Sequence, residues 1–363
     1  MKRVLHIVGS IELGGIQSFL MNLYRNIDRN LVQFDFVICD EPSEESYKSE
    51  IELLGGKIYR IPTKSESLYK NLKSIYDIVK KEKYSIVWRH TPDSVRAIDL
   101  IPAKFAGADK LILHSHCAYA YDINGRIGSI FKNIFLKIPT DLIACGEDAG
   151  KYMFDKQPYI ILENGIDVKK FVFDTEIRSR LRNELGISRE NNVYGHVGRL
   201  SEPKNHVFLL EIFKHIAEND SNAVLLLVGD GDLYNLIVER INQLNLNSKV
   251  KLLGARQDIN NLMMAMDFMI FPSLYEGMPV TLVETQATGL HCMVSDRVTK
   301  ECNVSDTLFY YSLNKTSDEW ANEATLGLAK ALRRDRTHGA LDVMHSNYNI
   351  QNVVSKLYAL LGE

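Results

Sequence analysis

Short apolar runs alternate with amphipathic helical periodicity along the first half of the chain. The run Val4–Val8 predicts a buried strand, and Ile16–Ile27 predicts the helix that follows it. Further buried strands are predicted at Phe34–Cys39, Ile58–Ile61, Ile86–Trp88, Leu111–Leu113 and Leu142–Ala144. Strands separated by helices imply an α/β fold with a mainly parallel sheet covered on both faces. In such sheets ligands bind at the carboxyl ends of the strands.

The second half of the chain repeats this alternation. Strands are predicted at Val193–Val197, Ala223–Val228, Lys249–Leu253, Phe268–Pro272, Met293–Ser295 and Phe309–Tyr311, and helices at Asp258–Met266, Trp320–Leu332 and Asn349–Leu361. Between the halves, the sequence Asn164-Gly-Ile-Asp167 is a turn signal and marks a linker. The charged, leucine-poor stretch 174–192 predicts a surface connection. The methionine-rich face of 258–266 predicts core packing.

One segment allows two interpretations. Apolar residues recur on one helical face of 124–138, and Arg126, Lys132 and Lys137 add positive charge. A basic amphipathic helix can lie on an anionic membrane. The alternative, a helix that packs its apolar face onto the sheet, is favoured.

Composition is that of an ordinary enzyme. The 363 residues are 45% hydrophobic and 25% charged, and are long enough for two domains. A net charge of −3 argues against nucleic-acid binding. Cysteines 39, 117, 145, 292 and 302 are odd in number and form no C-x-x-C pair, which argues against a disulfide framework or a zinc site. No apolar run reaches the length of a signal-peptide core or a membrane span. We therefore expect a protein that is soluble or bound at a membrane surface.

The stretch 268–287 carries the strongest chemical signal. The run Phe268–Pro272 predicts a strand, and a turn leads to a helix that starts at Met278-Pro279, with proline in the first helical position. The free amides of 280–282 would then form a seat for an anion such as phosphate. Glu276 and Glu284 flank this seat as acceptors for sugar hydroxyls, and Arg199 and Lys204 are the candidate cations.

These residues resemble glycosyltransferase family 4, the large retaining family with the GT-B fold. The pair Glu276/Glu284 matches the family's E-x7-E motif, and Arg199 with Lys204 matches its G-R-x-x-x-x-K pattern. The motifs VGDGDL at 228–233, NGID at 164–167 and Gly14-Gly15 match in the expected order. The resemblance implies two Rossmann-like domains facing across a deep cleft. An acceptor-binding domain would span 1–165 and a nucleotide-sugar domain 166–345, with a last helix at about 346–363 packing back onto the first domain.

The resemblance also implies roles for individual residues. A diphosphate would be held by Arg199, Lys204 and the amides of Val280 and Thr281. The Gly15 amide would lie near the diphosphate or the acceptor. Glu284 would accept from the ribose and Glu276 from the donor sugar. The backbone of Gly277, Met278 and Pro279 would assist at the donor sugar and the helix start, and the backbone around Arg256 would contact the nucleotide base.

His116 follows the predicted strand Leu111–Leu113. A lone histidine at a strand end is by default a structural hydrogen-bonder, but the family match favours a place at the donor sugar, so His116 joins Glu276, Arg199 and Lys204 in the catalytic set. For His90 and His114 the structural interpretation is favoured. Asp230 and Asp232 mimic a metal-binding D-x-D motif, but the family neutralises its diphosphate with Arg and Lys, so we expect no metal and no cofactor.

The resulting hypothesis is a retaining hexosyltransferase that uses a nucleotide diphosphate sugar, with a UDP-sugar as the expected donor. The acceptor would be a saccharide or lipid-linked oligosaccharide in bacterial capsule, exopolysaccharide or O-antigen synthesis. The enzyme would be cytoplasmic, either free or bound peripherally at the inner face of the plasma membrane. The alternatives are a sugar-nucleotide epimerase or hydrolase of the same fold and a non-catalytic nucleotide-sugar-binding protein. A glycosidase pair is weaker, because it would not need a phosphate seat. A nicotinamide dehydrogenase is also weaker, because neither half of the chain contains the G-x-G-x-x-G motif of such enzymes.

Overall fold

The computed structural model describes residues 1–44, 46–116 and 132–362. The chain forms two compact units: Met1–Gly165 together with Ile350–Glu363, and Ile166–Asn349. Each unit contains one parallel sheet. No helix in the described residues combines the length and apolar character needed to cross a bilayer.

The first unit is built on a seven-stranded sheet in the order β3-β2-β1-β4-β5-β6-β7. Its strands are β1 Lys2–Ile7, β2 Val32–Ile38, β3 Ile58–Arg60, β4 Ile86–Thr91, β5 Lys110–Ser115, β6 Asp141–Ala144 and β7 Ile160–Ile161. Its helices are Gly15–Asn26, Lys48–Leu53, Lys64–Glu82, Leu100–Phe105, Glu147–Phe154 and Ile350–Leu361, with a 3₁₀ turn at Val95–Asp99. Because β1 and β4 are neighbours while β2 and β3 lie on the far side of β1, the strand order reverses between β1 and β4.

The second unit repeats the arrangement with six strands in the order β10-β9-β8-β11-β12-β13. They are β8 Asn192–Val197, β9 Ala223–Val228, β10 Val250–Leu252, β11 Phe268–Phe271, β12 His291–Ser295 and β13 Leu308–Tyr311. The helices are Thr175–Glu184, His206–Asn219, Tyr234–Gln243, Ile259–Ala265, Val280–Ala287, Ser317–Ala331 and Gly339–Met344, with 3₁₀ turns at Val168–Phe171, Glu202–Lys204 and Arg336–His338. Here the order reverses between β8 and β11.

The last helix, Ile350–Leu361, lies in the core of the first unit. Its buried residues Val353 and Leu357 share one apolar cluster with Phe34 and Trp88. Gly165 allows the close approach, since a Cβ at that position would lie 2.7 Å from Val353 Cγ2. Burial of this apolar stripe explains why a helix at the end of the sequence belongs to the unit at its beginning.

The expectation of a plain surface connection at 174–192 was wrong. Residues Thr175–Glu184 form a helix whose first amides are capped by the Asp174 carboxylate. Its charges are not all solvated, because Arg178 and Arg182 each reach Asp267 with 2.5 Å ion pairs. The guanidinium groups of Arg178 and Arg182, which the sequence places at the surface, therefore anchor this helix through ion pairs.

Other segments match the sequence pattern more closely. Met263 and Met264 are buried, so the methionine-rich face packs in the core as predicted. Cys39, Cys145, Cys292 and Cys302 are free thiols. Most of the predicted amphipathic helix 124–138 lies outside the described residues. Of its described part, Leu136 is buried while Ile134 is exposed.

Candidate active site

The loops that carry the predicted cations and carboxylates meet where the second sheet reverses its strand order. Strand β8 is hydrogen-bonded to β11, and both run in the same direction. The chain therefore leaves both strands at the same edge, through Gly198–Lys204 after β8 and Pro272–Gly277 after β11. The Leu274 amide donates to the Pro203 carbonyl over 2.8 Å, which ties the two loops together. This edge is the usual ligand position in an open α/β sheet.

Lys204 and Glu276 form an ion pair at this edge. Lys204 Nζ donates to Glu276 Oε1 over 2.6 Å, and the two side chains are 17% and 12% exposed. The same ammonium lies 5.1 Å from the centre of the Phe271 ring. From the sequence, Lys204 is predicted to contact the diphosphate and Glu276 the donor sugar. The structure pairs the two side chains with each other. A lysine ammonium carries three N–H donors, so the pair leaves it able to contact a ligand as well.

Two glycines hold the Gly198–Lys204 loop from the side of β9. Gly229 and Gly231 have φ values of +140° and +159°. A Cβ on Gly229 would lie 2.0 Å from the Gly198 carbonyl oxygen, and one on Gly231 would lie 2.5 Å from that of Leu200. Backbone contact this close excludes any side chain at either position. The VGDGDL motif thus supports the loop that carries Lys204.

Arg199 and Arg256 pair with carboxylates other than Glu276. The Arg199 side chain is 71% exposed, and its ion pair, at 3.9 Å, is with Asp232. Arg256 is exposed and makes a two-bond contact with Asp258, at 2.7 Å for each bond. Neither guanidinium is brought to the pair in this structure. Lys204 is the cation that lies beside Glu276.

The helix after Glu276 begins one residue later than expected. Its bounds are Val280–Ala287, and Pro279 is the flanking residue with φ −76° and ψ 96°, not the first helical one. The Leu282 amide donates to the Pro279 carbonyl over 3.0 Å. The predicted set of three free amides is therefore corrected to two, those of Val280 and Thr281. Met278 and Pro279 are buried and Gly277 is partly exposed.

Glu284 stands on the second turn of this helix, in an environment unlike that of Glu276. It is partly exposed, and its carboxylate has no hydrogen-bond or ion-pair partner in the described part of the chain. Burial raises the pKa of Glu284 to about 7, from an ordinary value of 4.5. A carboxylate kept in poorly solvated surroundings without a cation destabilises the protein by itself. Hydroxyl donors from a ligand would offset that cost.

Two buried polar atoms near the pair were missed by sequence reasoning. Ser273 Oγ, in the turn that carries Glu276, has no hydrogen-bond partner among the described residues, and neither does His196 Nε2 on β8. His196 donates from Nδ1 to the Ile270 carbonyl over 2.9 Å, which leaves Nε2 as a bare acceptor. Nothing in the sequence distinguishes these residues from ordinary strand-end residues. Their significance appears only from their position at the sheet edge.

The first unit places four histidines at its own strand reversal. In register, His6 on β1 is opposite Trp88 on β4, and His90 on β4 is opposite His114 on β5. Residues two apart share a face of a sheet, so His6, His90 and His116 descend one face as a staircase. His6 Nδ1 lies 2.9 Å from His90 Nε2, and His90 Nδ1 lies 2.9 Å from His116 Nε2. Sequence reasoning singled out His116 but missed His6.

These histidines are neutral. Burial lowers the pKa of His6 and of His116 to about 3, and it holds the pKa of His90 and His114 well below the ordinary value. Nitrogens of His90, His114 and His116 lie within 4.8 Å of one another. The chain of two hydrogen bonds from His6 to His116 engages the ring nitrogens of His90 on both sides.

Gly15 is the first residue of the helix Gly15–Asn26, after Gly14 in extended conformation. Gly15 is exposed, and a Cβ added there would meet no atom within 4 Å. Packing within the protein therefore does not require glycine at this position. Its amide is one of those that lack an intrahelical acceptor at a helix start.

Comparison with known proteins assigns the family. Residues 177–306 match the model of the glycosyl transferases group 1. Over 350 residues the chain is 35% identical to EpsF of Bacillus subtilis, a protein assigned as a glycosyltransferase, with 92% of this chain and 89% of EpsF covered. The chain belongs to the group 1 glycosyltransferases.

A second relative and two solved structures are also similar to this chain. A UDP-Gal:alpha-D-GlcNAc-diphosphoundecaprenol alpha-1,3-galactosyltransferase of Escherichia coli is 30% identical, with 84% of this chain and 82% of that enzyme covered. The crystal structure of Anabaena Alr3699/HepE in complex with UDP and glucose matches with a TM-score of 0.81 at 18% identity, over 100% of both chains. The structure of WaaG, a glycosyltransferase involved in lipopolysaccharide biosynthesis, matches with a TM-score of 0.73 at 16% identity, over 98% of this chain and 99% of that one. The fold of this glycosyltransferase is GT-B.

Proposed function

We propose that this glycosyltransferase moves a hexosyl group from a UDP-sugar to a hydroxyl of a lipid-linked saccharide, with retention of the anomeric configuration, in the synthesis of a bacterial surface polysaccharide. The observation that carries the proposal is the Lys204–Glu276 pair, tied by its loops to the reversal point of the second sheet. The turn that carries Glu276 leads directly into the helix that presents the amides of Val280 and Thr281. A cation, helix-end amides and two acids at one sheet edge suit a sugar diphosphate.

The charged and polar groups at this sheet edge indicate the chemical class of the donor. Lys204 would contact the diphosphate while keeping Glu276 as its partner, and the amides of Val280 and Thr281 would take further phosphate oxygens. Glu284 would accept from the ribose hydroxyls and Glu276 from hydroxyls of the donor sugar. The exposed Arg199 would have to turn from Asp232 to reach the diphosphate, and the backbone around Arg256 would contact the base.

The reaction needs a stabilised leaving group more than it needs a nucleophile. The bond between the anomeric carbon and the phosphate oxygen breaks as positive charge builds on the sugar and negative charge on the diphosphate. The acceptor oxygen bonds to the same face of that carbon, and its proton passes to the departing phosphate oxygen. Fixed cations and amides lower the energy of this state electrostatically. The proposal assigns charge neutralisation to Lys, Arg and amides, so transfer should persist in EDTA.

The identity of the donor and acceptor rests on the relatives. The Escherichia coli relative is named for UDP-Gal and for a diphosphoundecaprenol-linked GlcNAc acceptor. A Staphylococcus aureus relative, 24% identical, is named for capsular polysaccharide biosynthesis. A lipid-linked acceptor would place the enzyme at the inner face of the plasma membrane. For the first unit, the proposal keeps Gly15 at the diphosphate or the acceptor and His116 at the donor sugar.

The test is transfer with purified protein, a panel of UDP-sugars and a polyprenyl-diphosphate-linked sugar acceptor, with the product's anomeric configuration read by NMR. Lys204→Ala should lower kcat by about 10²–10³-fold, the usual effect of removing one charge-stabilising donor. Lys214→Ala is the matched control, because Lys214 makes an exposed 3.8 Å pair with Glu218.

The contrary outcomes separate the rival functions. Donor consumed at full rate without acceptor would indicate an epimerase or hydrolase. Donor bound but never consumed would indicate a binding protein. Near-wild-type transfer by a folded Lys204→Ala protein would refute the role of the pair.

A further inference from the structure

The histidine staircase of the first unit has an orientation, and that orientation decides what His116 can do. His6, His90 and His116 are linked by hydrogen bonds of 2.9 Å from His6 Nδ1 to His90 Nε2 and from His90 Nδ1 to His116 Nε2. Each neutral imidazole carries one proton, on one of its two nitrogens. For both bonds to exist, the protons must all be on Nδ1 or all on Nε2.

The two arrangements differ only at the ends of the staircase. With all protons on Nε2, His6 Nε2–H becomes a donor at an atom that is buried and has no hydrogen-bond partner. With all protons on Nδ1, His6 Nε2 is a bare acceptor. His116, at the other end of the staircase, then carries its proton on Nδ1. Orphaned N–H groups are rarer in protein interiors than orphaned acceptors.

The surroundings of His6 do not reverse this preference. Its ring packs edge-to-face against Phe34, with 4.2 Å between centroids, and lies 5.4 Å from Trp88. An N–H aimed at an aromatic face is a second-order interaction and replaces a true acceptor only in part. Burial in an apolar cluster also keeps the His6 ring neutral, which removes the possibility that it donates from both nitrogens.

We infer that His6 and His90 are positioning residues that hold His116 in its Nδ1–H form, so that His116 presents a hydrogen-bond donor to an oxygen of the bound substrate and does not act as a general base. The inference deepens the proposed function, since it specifies what His116 offers at the donor sugar. His116 fits this role because it is a partly exposed residue at the end of β5, whereas His6 and His90 are buried. In the described part of the chain, His116 Nδ1 has no partner of its own.

The first measurement needs no variant. Long-range ¹H–¹⁵N correlation spectra of ¹⁵N-histidine-labelled, substrate-free protein distinguish protonated from bare ring nitrogens. We expect protonated Nδ1 on His6, His90 and His116 as the major form, with protonated Nε2 as the minor one. Protonated Nε2 on His116 as the major form would overturn the inference whatever the protein's activity. Transfer activity with that tautomer would leave the proposed function standing.

A matched pair of variants tests the positioning. The terminal atoms of Asn and Asp occupy about the place of a histidine Nδ1. His90→Asn can still donate to His116 Nε2 and should keep His116 in the Nδ1–H form with transfer within about threefold of wild type. His90→Asp, when ionised, can only accept, so His116 should become Nε2–H and kcat/KM should fall about 10- to 100-fold. UDP affinity should change in neither variant. Equal loss in both variants, or a neutral Nδ1–H His116 beside the ionised carboxylate of His90→Asp, would refute the positioning role.

A metal site is the competing use of these rings. Nitrogens of His90, His114 and His116 lie within 4.8 Å of one another, and both ring nitrogens of His114 are buried without a hydrogen-bond partner. Metal analysis of the purified protein and a Co²⁺ titration distinguish the two uses. Stoichiometric Co²⁺ binding with bands typical of nitrogen ligation, lost in His114→Phe, would overturn the hydrogen-bonded staircase as the working state. No uptake would support it.

Discussion

Replacement of Glu284 by glutamine should stabilise this glycosyltransferase while it weakens nucleotide binding. Glu284 has no cation or hydrogen-bond donor beside its carboxylate in the described residues, and burial raises its pKa from 4.5 to about 7. Each unit of pKa shift corresponds to about 1.4 kcal/mol, so a carboxylate ionised at pH 8 costs the folded protein about 3 kcal/mol. Glutamine has nearly the same shape and carries no charge to bury.

The destabilisation caused by the Glu284 charge depends on pH. Below about pH 4.5 the carboxyl is protonated in folded and unfolded protein alike, and the charge costs nothing. Between about 4.5 and 7 the unfolded chain releases the proton while the folded protein keeps it, so wild-type stability falls as pH rises. Above about 7 the loss is complete. The advantage of Glu284→Gln should therefore grow across this window and then level off.

Urea unfolding at a series of pH values from 5 to 8.5 measures this difference. The chain's tryptophans are Trp88 in the first unit and Trp320 in the second, and both are buried. In a Trp88→Phe background, Trp320 emission reports on the unit that contains Glu284. A difference between variant and wild type that is independent of pH, or a variant less stable than wild type at pH 8, would refute the reasoning.

The same variant separates stability from binding. If Glu284 accepts from the ribose hydroxyls, Glu284→Gln should weaken UDP binding by about tenfold at pH 8, the cost of losing a charge-assisted hydrogen bond. At pH 6, where wild-type Glu284 is mostly protonated, the two proteins should bind UDP more equally. Titration calorimetry of both at each pH cancels the ionisation of UDP itself. Equal affinities at pH 8 would leave Glu284 as a buried charge without the proposed ligand.

Two further predictions concern the framework of the second unit. Asp267 accepts from Arg178, Arg182 and the Val193 amide, so Asp267→Asn should cost about 3–5 kcal/mol by leaving the buried Arg182 and the partly buried Arg178 without a carboxylate, and should lower Tm by about 10 °C in calorimetry. Asp258→Asn, which breaks only the exposed pair with Arg256, should cost at most about 1 kcal/mol, and equal losses would contradict the argument. Gly229→Ala should abolish UDP binding measured by calorimetry, because its Cβ would meet the Gly198 carbonyl oxygen at 2.0 Å. Gly186→Ala shares a positive φ of +63° but meets no atom, so it should cost only about 1 kcal/mol and spare UDP binding.

The sheets could be predicted because buried parallel strands have a plain signature. The run Ala223–Val228 is apolar on both faces and Phe34–Cys39 is apolar except at Asp35, and the structure places strands there with ends shifted by at most a few residues. Strand ends are less predictable. Thus β4 and β5 extend to Thr91 and Ser115, through polar residues that the apolar runs exclude. Hydrogen bonding to neighbours in the sheet, not hydrophobicity, decides those last residues.

The helix 175–184 shows a different limit. Its arginines look solvated in sequence, and only the position of Asp267, more than eighty residues away, makes Arg178 and Arg182 part of the interior. Pro279 is a third case. Its sequence suits the first helical position, but its ψ of 96° places it just outside the helix. For Pro279 a local rule gave the right kind of element and a dihedral angle set its boundary, whereas for 175–184 the charged composition did not indicate the helix at all.

The candidate site residues could also be predicted only in part from the sequence. Glu276 and Lys204 could be singled out from residue type and motif, but not their pairing, because it depends on β8 lying beside β11. Arg199 shows the reverse: its motif is intact, yet its side chain lies at the surface beside Asp232. The motifs thus indicate candidate loops, and the fold decides which side chains within those loops come together.

The polar atoms left unsatisfied by folding indicate where ligands are expected. His6 Nε2 and both nitrogens of His114 lie where the first sheet reverses, and His196 Nε2 and Ser273 Oγ lie where the second does. Buried polar groups without partners are costly, and a packed core ordinarily removes them. Glu284 adds an unpaired carboxylate in the second unit. Buried atoms without partners also occur away from these edges, at Gln33 Oε1 and Arg240 Nε, so it is the position at the sheet edge together with the missing partner that indicates a polar ligand. We therefore expect stabilising substitutions at these positions, such as Glu284→Gln, to reduce activity, and those elsewhere in the two cores to leave it unchanged.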